Sequence, residues 1–380
     1  MNTVCPDKMC NGCGLCAAQC PLQCICFDEG GTFGHKFPHI DQKRCIDCGL
    51  CRKFCPALHS KLTGYPVKAY AAWSKDTDDY RTSASGGIAS ALSRLTIEQG
   101  GVVYGCAMLP DIDVQHVRVD KVEDLRKLKG SKYVQSDMTD VYQQLKEDVG
   151  TGRMTLFVGT PCQVAAVKAL FKEQPDNLLL VDLICHGVPS VKLLRHHVGN
   201  VADYPHYEEV TFRESNAYMM KIHAGGEIVY KRPLKKPFYQ DWYLNTFVDG
   251  YTCRDSCYSC RYACEERISD ITIGDFWGLG KKYGVRDIPE HPYGCSVVLP
   301  ITEKGMEAVR CLQATVYLFE RPLDEATDGN AQLQSPVRLD WRKKIFRMLF
   351  PVLGRRAYDI VIADKYVRYV LGQLKHRIKK

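Results

Sequence analysis

No stretch of this 380-residue chain is apolar for long enough to cross a bilayer, since its longest runs, such as LLLVDLIC, stop well short of about 20 residues. An integral membrane protein is thereby excluded. Neither G-x-G-x-x-G nor G-x-x-x-x-G-K-[ST] occurs, so a Rossmann nicotinamide site and a P-loop NTPase have no support. The first residues, MNTVCPDKMC, lack the basic start, apolar core and small-residue cleavage site of a secretory signal, and a cytoplasmic location is the expectation. A broad basic surface is missing too. Residues 1–340 carry 39 Lys/Arg against 42 Asp/Glu, and only residues 341–380, with 12 against 2, are basic. A nearly neutral body excludes a general nucleic-acid binder, because neutralising phosphates needs positive charge spread over a face. With 45% hydrophobic and 25% charged residues the chain is neither disordered nor collagenous, and its length suits two or three domains.

Cysteine, by contrast, is in excess: 20 in all, 11 of them within the first 55 residues. In a reducing compartment such thiols read as metal or cluster ligands rather than disulfides. Residues 10–21 are CNGCGLCAAQCP and residues 45–56 are CIDCGLCRKFCP, two copies of C-x2-C-x2-C-x3-C-P at a 35-residue period. Three cysteines spaced by two residues wrap three corners of a cubane, and in the bacterial two-cluster pattern the fourth cysteine of each run serves the other cluster. That gives Cys10, Cys13, Cys16 and Cys55 for one 4Fe-4S cluster and Cys45, Cys48, Cys51 and Cys20 for the other. Zinc, the alternative, wants four ligands where these runs offer eight. Cys5, Cys24 and Cys26 are then left over as core or rim thiols.

From Tyr65 onward short apolar runs alternate with helical stretches, the pattern of an α/β or α+β body. VKAYAAWS (67–74) reads as a strand. In RTSASGGIASALSRLTIEQGG, Ser85 suits the cap of a helix starting near Gly87, with Ile88, Leu92 and Leu95 on one face. MTLFVGTPCQVAAVKALF reads as a buried strand, Gly159, an N-cap at Thr160, Pro161, and Cys162 at the positive end of the helix dipole, where a thiol pKa is expected to fall. LLLVDLICHGVPS ends a strand in Cys185-His186-Gly187, where open α/β sheets keep their ligands. Between these joints LKGSKYVQSDM offers Lys132, Tyr133, Gln135 and Ser136, a set suited to a ring or phosphate, or simply to a solvated loop. Downstream, CRDSCYSCRYACEERISDITIGDFWG brings Cys253, Cys257, Cys260 and Cys264 into twelve residues, a third cluster candidate with zinc as its rival. The last segment has Ala363, Val367, Val370, Leu371, Leu374 and Ile378 on one helical face and basic residues on the other. It suits docking on its own domain or lying on an anionic membrane surface.

The series SASGG, GSKYVQS, GTPCQ, DLICHGVPS, CxxC and SDITIGDFWG, in that order behind a two-cluster module, resembles the coenzyme F(420)-reducing hydrogenase/dehydrogenase beta-subunit family over residues 1 to about 280. The resemblance implies an iron-sulfur flavoprotein: an α/β (α+β) catalytic body, residues 65–330, behind an N-terminal ferredoxin-like domain, residues 1–62, with residues 331–380 as a basic amphipathic tail. It implies FAD held by Ser85, Gly86, Gly87, Lys132, Tyr133, Gln135, Ser136, Thr160 and Gln163. It also implies a third cluster on the Cys257 and Cys260 pair with Cys253 and, in preference to Cys264, Cys185. Members found among genes for surface polysaccharides look most similar.

The function expected is an oxidoreductase in which a ferredoxin-like donor, the clusters and FAD exchange electrons and an organic substrate, such as a small-molecule or lipid-linked sugar intermediate, is reduced. Clusters carry single electrons, whereas a flavin also handles pairs. His186, Cys162 and Asp275 are the candidates for proton supply by residue type and loop placement. The rival readings are a non-catalytic electron-transfer subunit of a larger partner oxidoreductase, a coenzyme F(420) dehydrogenase, and purely structural clusters. A lipid-linked substrate would give the basic tail a purpose, at the inner face of the membrane.

Overall fold

The computed structural model describes residues 3–215, 217–234 and 241–366. The cysteine runs come first, each closing on a one-turn helix, Leu15–Ala18 and Leu50–Lys53. Gly14 (φ 82°) and Gly49 (φ 73°) precede these turns in the left-handed region, which only glycine adopts freely, and so let the backbone double back round the thiols. An antiparallel hairpin, β1 (Ile25–Gly30) with β2 (His35–Ile40), separates the two runs.

The body is built on one mixed sheet. Its strands are β3 (Ala69–Ser74), β4 (Val102–Leu109), β5 (Asp113–Val119), β6 (Thr155–Gly159) and β7 (Leu178–Leu183), followed, after the antiparallel sheet of β8 (Glu209–Glu214), β9 (Ala217–Ala224) and β10 (Glu227–Pro233), by β11 (Ile271–Asp275), β12 (Ser296–Pro300) and β13 (Val316–Arg321). The eight-stranded order is β13-β3-β12-β11-β7-β6-β4-β5. Strands β4, β6, β7 and β11 run parallel, so their carboxyl ends reach one edge. Alternate residues along these strands feed two cores. Val103, Leu156 and Val181 pack with Ile88 and Leu92 of the helix Ile88–Glu98 and with Val309 of Glu303–Cys311; Tyr104, Phe157 and Leu180 pack with Leu145 of Val141–Gly150 and Val164 of Pro161–Leu170. Helices therefore cover both faces, the α/β body with a ferredoxin-like module in front that the sequence indicates.

Local readings are corrected in two places. The helix after SASGG is capped by Gly87 in the left-handed region, without a side-chain cap bond, while Ser85 accepts from Ser296 Oγ at 3.1 Å. Gly86 is there for close packing, since a Cβ would stand 2.1 Å from the Ala72 carbonyl oxygen. In the last segment the buried face is Ala357, Tyr358, Val361 and Ile362, and Ala363 is exposed, because a helix of 3.6 residues per turn puts 363 off the 358–362 stripe. Val367, Val370, Leu371, Leu374 and Ile378 lie outside the described residues.

The module is held to the body by interdigitation. Leu15 is fully buried in the core of the helices 141–150 and 161–170. Tyr142 Oη donates to the Cys13 carbonyl at 2.6 Å, Lys36 pairs with Asp137 at 2.8 Å, and His35 Nε2 lies 3.1 Å from the Val188 carbonyl. The helix Trp341–Leu353, N-capped by Asp340, seals the far side of this seam. Its Phe346 is fully buried, stacked on Phe33 of the hairpin at 5.8 Å and edge-on to Tyr251 at 5.3 Å. Phe346→Ala is expected to cost about 3–5 kcal/mol, read as a lowered urea midpoint. A midpoint within experimental error of the parent would show that this helix does not fasten the seam.

Candidate functional site

Two hollows open between the cysteine loops. One is lined by Cys20, Cys24, Cys45, Cys48 and Cys51, the other by Cys5, Cys10, Cys13, Cys16 and Cys55. Each thus gathers three cysteines of one run and the last cysteine of the other. The first has about 360 Å³ of space and the second about 320 Å³, both open to solvent. Among the described residues no three His, Cys, Asp or Glu side chains converge on a point that would hold a single metal ion. Thiols set around a hollow, rather than converged on a point, fit a cubane.

Cys5 and Cys24, left over by spacing, turn out to belong to these hollows. Cys24 Sγ lies 3.4 Å from Cys20 Sγ. The Cys5 thiol shares its one proton with the sulfurs of Cys10 and Cys55, which brings Cys10 down to about 6, helped by the Arg254 guanidinium, and Cys55 to about 7. Burial pushes Cys13 up to about 12 and raises Cys16 as well. Thiols held this way release their protons to bind iron only because the metal supplies the compensating charge.

A third group forms where β6 and β7 end. Cys162 opens the helix after β6, under the capping box of Thr160 and Gln163, and Cys185 follows β7. Cys253, Cys257 and Cys260 come in from the loop before β11. Gly187, with φ 110°, admits them: a Cβ there would stand 2.7 Å from Cys253 Sγ. Cys185 and Cys257 both feel the charges of Cys162 and Cys253, and Cys162 is the chief thiol neighbour of Cys260. The helix dipole does not win at Cys162. Burial raises its pKa, outweighing the hydrogen bond from Thr160. Cys264 stands apart, its thiol donating to the carbonyls of Arg261 and Glu266 at 3.4 and 3.1 Å. Beside it, the buried Arg267 pairs with Asp182 at 2.8 Å and holds the Tyr262 and Cys264 carbonyls, which fixes the loop on β7. The N-terminal and third groups border one core, against which Cys13, Cys162 and Cys260 all pack.

Of the nine positions expected to touch a flavin, Ser136, Thr160 and Gln163 are engaged with one another and Gln135 with the N-terminal module. Gln163 Nε2 donates to Ser136 Oγ at 2.8 Å, the Thr160 amide and hydroxyl donate to Gln163 Oε1, and Gln135 Nε2 donates to the Asn11 carbonyl at 2.8 Å. His116, which sequence reasoning missed, completes this set: its Nδ1 lies 2.9 Å from Ser136 Oγ, and burial takes its pKa down to about 4. Lys132 donates to the Lys127 and Lys129 carbonyls, its pKa lowered by burial. Tyr133 alone among them presents a ring to neighbours from afar. It stacks on Phe247 at 4.3 Å, and Phe247 meets His186 edge-on at 5.5 Å. Its hydroxyl accepts from Arg213 Nη1 at 3.3 Å; the same nitrogen pairs with Asp275 at 3.1 Å, and the guanidinium lies 4.7 Å over Tyr218. Tyr218 in turn stacks with the half-exposed Trp277. His186 is half-buried, and desolvation of its ring lowers its pKa; Gln332 Nε2 lies 3.1 Å from its Nδ1. His186 and Asp275 therefore mark two ends of one aromatic and cationic edge. Arg213, Tyr218 and Phe247 carried no sequence signal; Trp277, inside GDFWG, did. Lys132, Tyr133 and Arg213 offer cations and a ring that fit an anionic aromatic cofactor, while the hydrogen-bonded set would position rather than touch it.

Comparison with known proteins bears on this geometry. Residues 152–326 match the family model that describes the C-terminal part of the coenzyme F420 hydrogenase/dehydrogenase beta subunit. Those residues belong to that family. Residues 36–57, which hold Cys45, Cys48, Cys51 and Cys55, match a 4Fe-4S binding domain, so the chain is an iron-sulfur protein of the electron-transfer oxidoreductase type. Among solved structures it is similar to a chain of the xenon-derivatised F420-reducing [NiFe] hydrogenase complex from Methanosarcina barkeri, with 20% identity over 71% of this chain and 87% of that one and a TM-score of 0.48. No curated protein gives a significant match. Among the described residues no helix is long and apolar enough to cross a membrane.

Serine substitutions sort the thiols. Cys20→Ser and Cys55→Ser, and likewise Cys185→Ser, Cys253→Ser, Cys257→Ser and Cys260→Ser, are expected to lower iron by about four atoms per chain, whereas Cys264→Ser and Cys162→Ser keep it. Iron retained in Cys253→Ser but lost in Cys162→Ser would move Cys162 into the third set.

Proposed function

We propose that this chain is an iron-sulfur flavin-dependent oxidoreductase that takes electrons from a ferredoxin-like donor and reduces an organic substrate. The observation that carries the reading is the continuity of the cysteine groups: two hollows in the N-terminal module, and a third group that shares a core with Cys13 and whose Cys185 is followed by His186, in ring contact with Phe247 and through it with Tyr133. Bound 4Fe-4S clusters would supply single-electron transfer, and FAD would exchange single electrons for pairs. Cys10, Cys13, Cys16 and Cys55 would hold one cluster, Cys45, Cys48, Cys51 and Cys20 the second, and Cys185, Cys253, Cys257 and Cys260 the third.

The chain's own residues have separable roles in this scheme. Leu15, Tyr142 and Arg267 keep the three groups at fixed separation, which tunnelling between them requires. Lys132 and Arg213 meet the negative charge of a flavin, and Tyr133, Tyr218 and Trp277 offer faces for rings. Phe247 and the helix Trp341–Leu353 keep water from the back of this edge. His186, neutral because desolvation lowers its pKa and with Nδ1 facing the Gln332 amide, could relay a proton to a substrate, the one on Nε2 leaving as another is taken up at Nδ1, and the Asp275 carboxylate could accept one once released from Arg213. A sugar intermediate of surface-polysaccharide synthesis is the substrate class we favour. The name beta subunit, borne by the matched family, supports a second reading in which the chain only passes electrons to a partner oxidoreductase. We also propose a peripheral membrane contact through the helix Trp341–Leu353, whose exposed Trp341, Met348 and Val352 stand among basic residues. Co-sedimentation with phosphatidylserine vesicles that fails even at low salt would remove that contact.

Protein purified without oxygen is expected to contain about 12 iron atoms and, after reconstitution, one FAD, and to be reoxidised by substrate without a partner. Reduced protein that stays reduced with every sugar nucleotide offered, yet is reoxidised by a co-purifying protein, would replace the enzyme reading with the carrier.

A further inference from the structure

The two cysteine runs are identical at seven of twelve positions, and one of the five that differ sets them apart beside the thiols. Two residues after the first cysteine stands Gly12 in one run and Asp47 in the other, both left-handed, with φ 64° and 53°. A Cβ at Gly12 would stand 2.7 Å from Arg254 Nη1, so the missing side chain is what admits the guanidinium. In the second run Asp47 puts a side chain there instead, its carboxylate 3.8 Å from Cys45 Sγ.

Arg254 reaches Gly12 from the body and is 1% exposed. Its Nε donates to the Cys10 carbonyl at 2.6 Å, Nη2 to Cys10 Sγ at 3.4 Å and to the Lys36 carbonyl at 2.8 Å, and Nη1 to Gln135 Oε1 at 3.2 Å. The guanidinium also lies 4.3 Å over Phe37. Among the described residues no carboxylate pairs with it. A buried arginine without a counter-anion costs several kcal/mol, and among the described residues that Arg254 bonds, Cys10 is the one whose side chain can become an anion.

Resting on the reading that Cys10, Cys13, Cys16 and Cys55 hold a cluster, we propose that Arg254 is that cluster's counter-cation and makes it the better electron acceptor of the two in the N-terminal module. A positive charge and an N–H donor at a ligand sulfur stabilise the reduced, more negative state, and burial strengthens both effects. Among the described residues no cation lines the other hollow, which is the more exposed one: Cys48 is exposed and Ile46 is 66% exposed. With clusters bound in both hollows, an electron delivered to the outer one would move inward, the outer being oxidised as the inner is reduced, with no bond or proton changing hands. The inner end is also the right one for onward transfer, because the next residue back along the chain from Arg254 is Cys253 of the third group.

The test is a potentiometric titration followed by EPR on the anaerobically purified full chain, parent, Arg254→Gln and Arg254→Lys, with iron and sulfide measured on each. One midpoint is expected to move to lower potential in Arg254→Gln and by less in Arg254→Lys, the other N-terminal midpoint staying put. Iron and sulfide present with both midpoints unmoved, or both moved equally, would overturn the role of Arg254. Parent protein without iron or sulfide would overturn the cluster reading beneath it. Should Arg254→Gln fail to fold, Arg254→Lys decides by the same rule.

Discussion

Sulfur crowded beside sulfur, away from water, is the constraint on which this chain is organised. A thiolate next to another thiolate in a medium of low dielectric is strongly disfavoured, and burial and mutual repulsion accordingly raise Cys13, Cys185, Cys257 and Cys260. Folding gathers these groups nonetheless, because backbone elsewhere holds them: left-handed glycines at 14, 49 and 187, the capping box at Thr160, and the buried Asp182–Arg267 pair behind the third loop. The cost of that gathering is offset when iron and sulfide are bound, so the stability of the seam and the presence of the clusters are two sides of one equilibrium.

The same constraint explains where the module sits. A cysteine loop hung on a flexible arm would leave transfer distances undefined. Here Leu15 is inserted in the body's core, Tyr142 and Arg254 hold the backbone of the first run, and Phe346 of the helix Trp341–Leu353 leans on Phe33 of the hairpin. Early and late segments of the chain thus close on one another across the region proposed to carry electrons.

How much could be read beforehand follows from the range of the forces involved. The ferredoxin-like runs were legible because three corners of a cubane dictate a spacing of two residues, whatever surrounds them. The joints at Gly159-Thr160 and Cys185-His186 were legible as strand ends. What escaped was decided by distant packing: Cys162 joins the third thiol group because β6 and β7 are neighbours, Arg213 meets Asp275 because β8 crosses toward the end of β11, and Cys5 and Cys24 line the hollows although spacing assigned them nothing. The lowered thiol pKa expected of Cys162 failed because burial outweighs a helix dipole. Ser85 fared similarly: a good capping residue in isolation, it is taken by Ser296.

The central claim is that the cysteine groups hold clusters near enough to share electrons. Its most direct test is the EPR spectrum of the fully reduced protein at low temperature, compared with spectra taken at partial reduction. Signals are expected to broaden and split as neighbouring centres fill, the mark of spin coupling along the seam. Signals that simply add, as from isolated centres, or a reduced protein with no iron-sulfur signal at all, would contradict it.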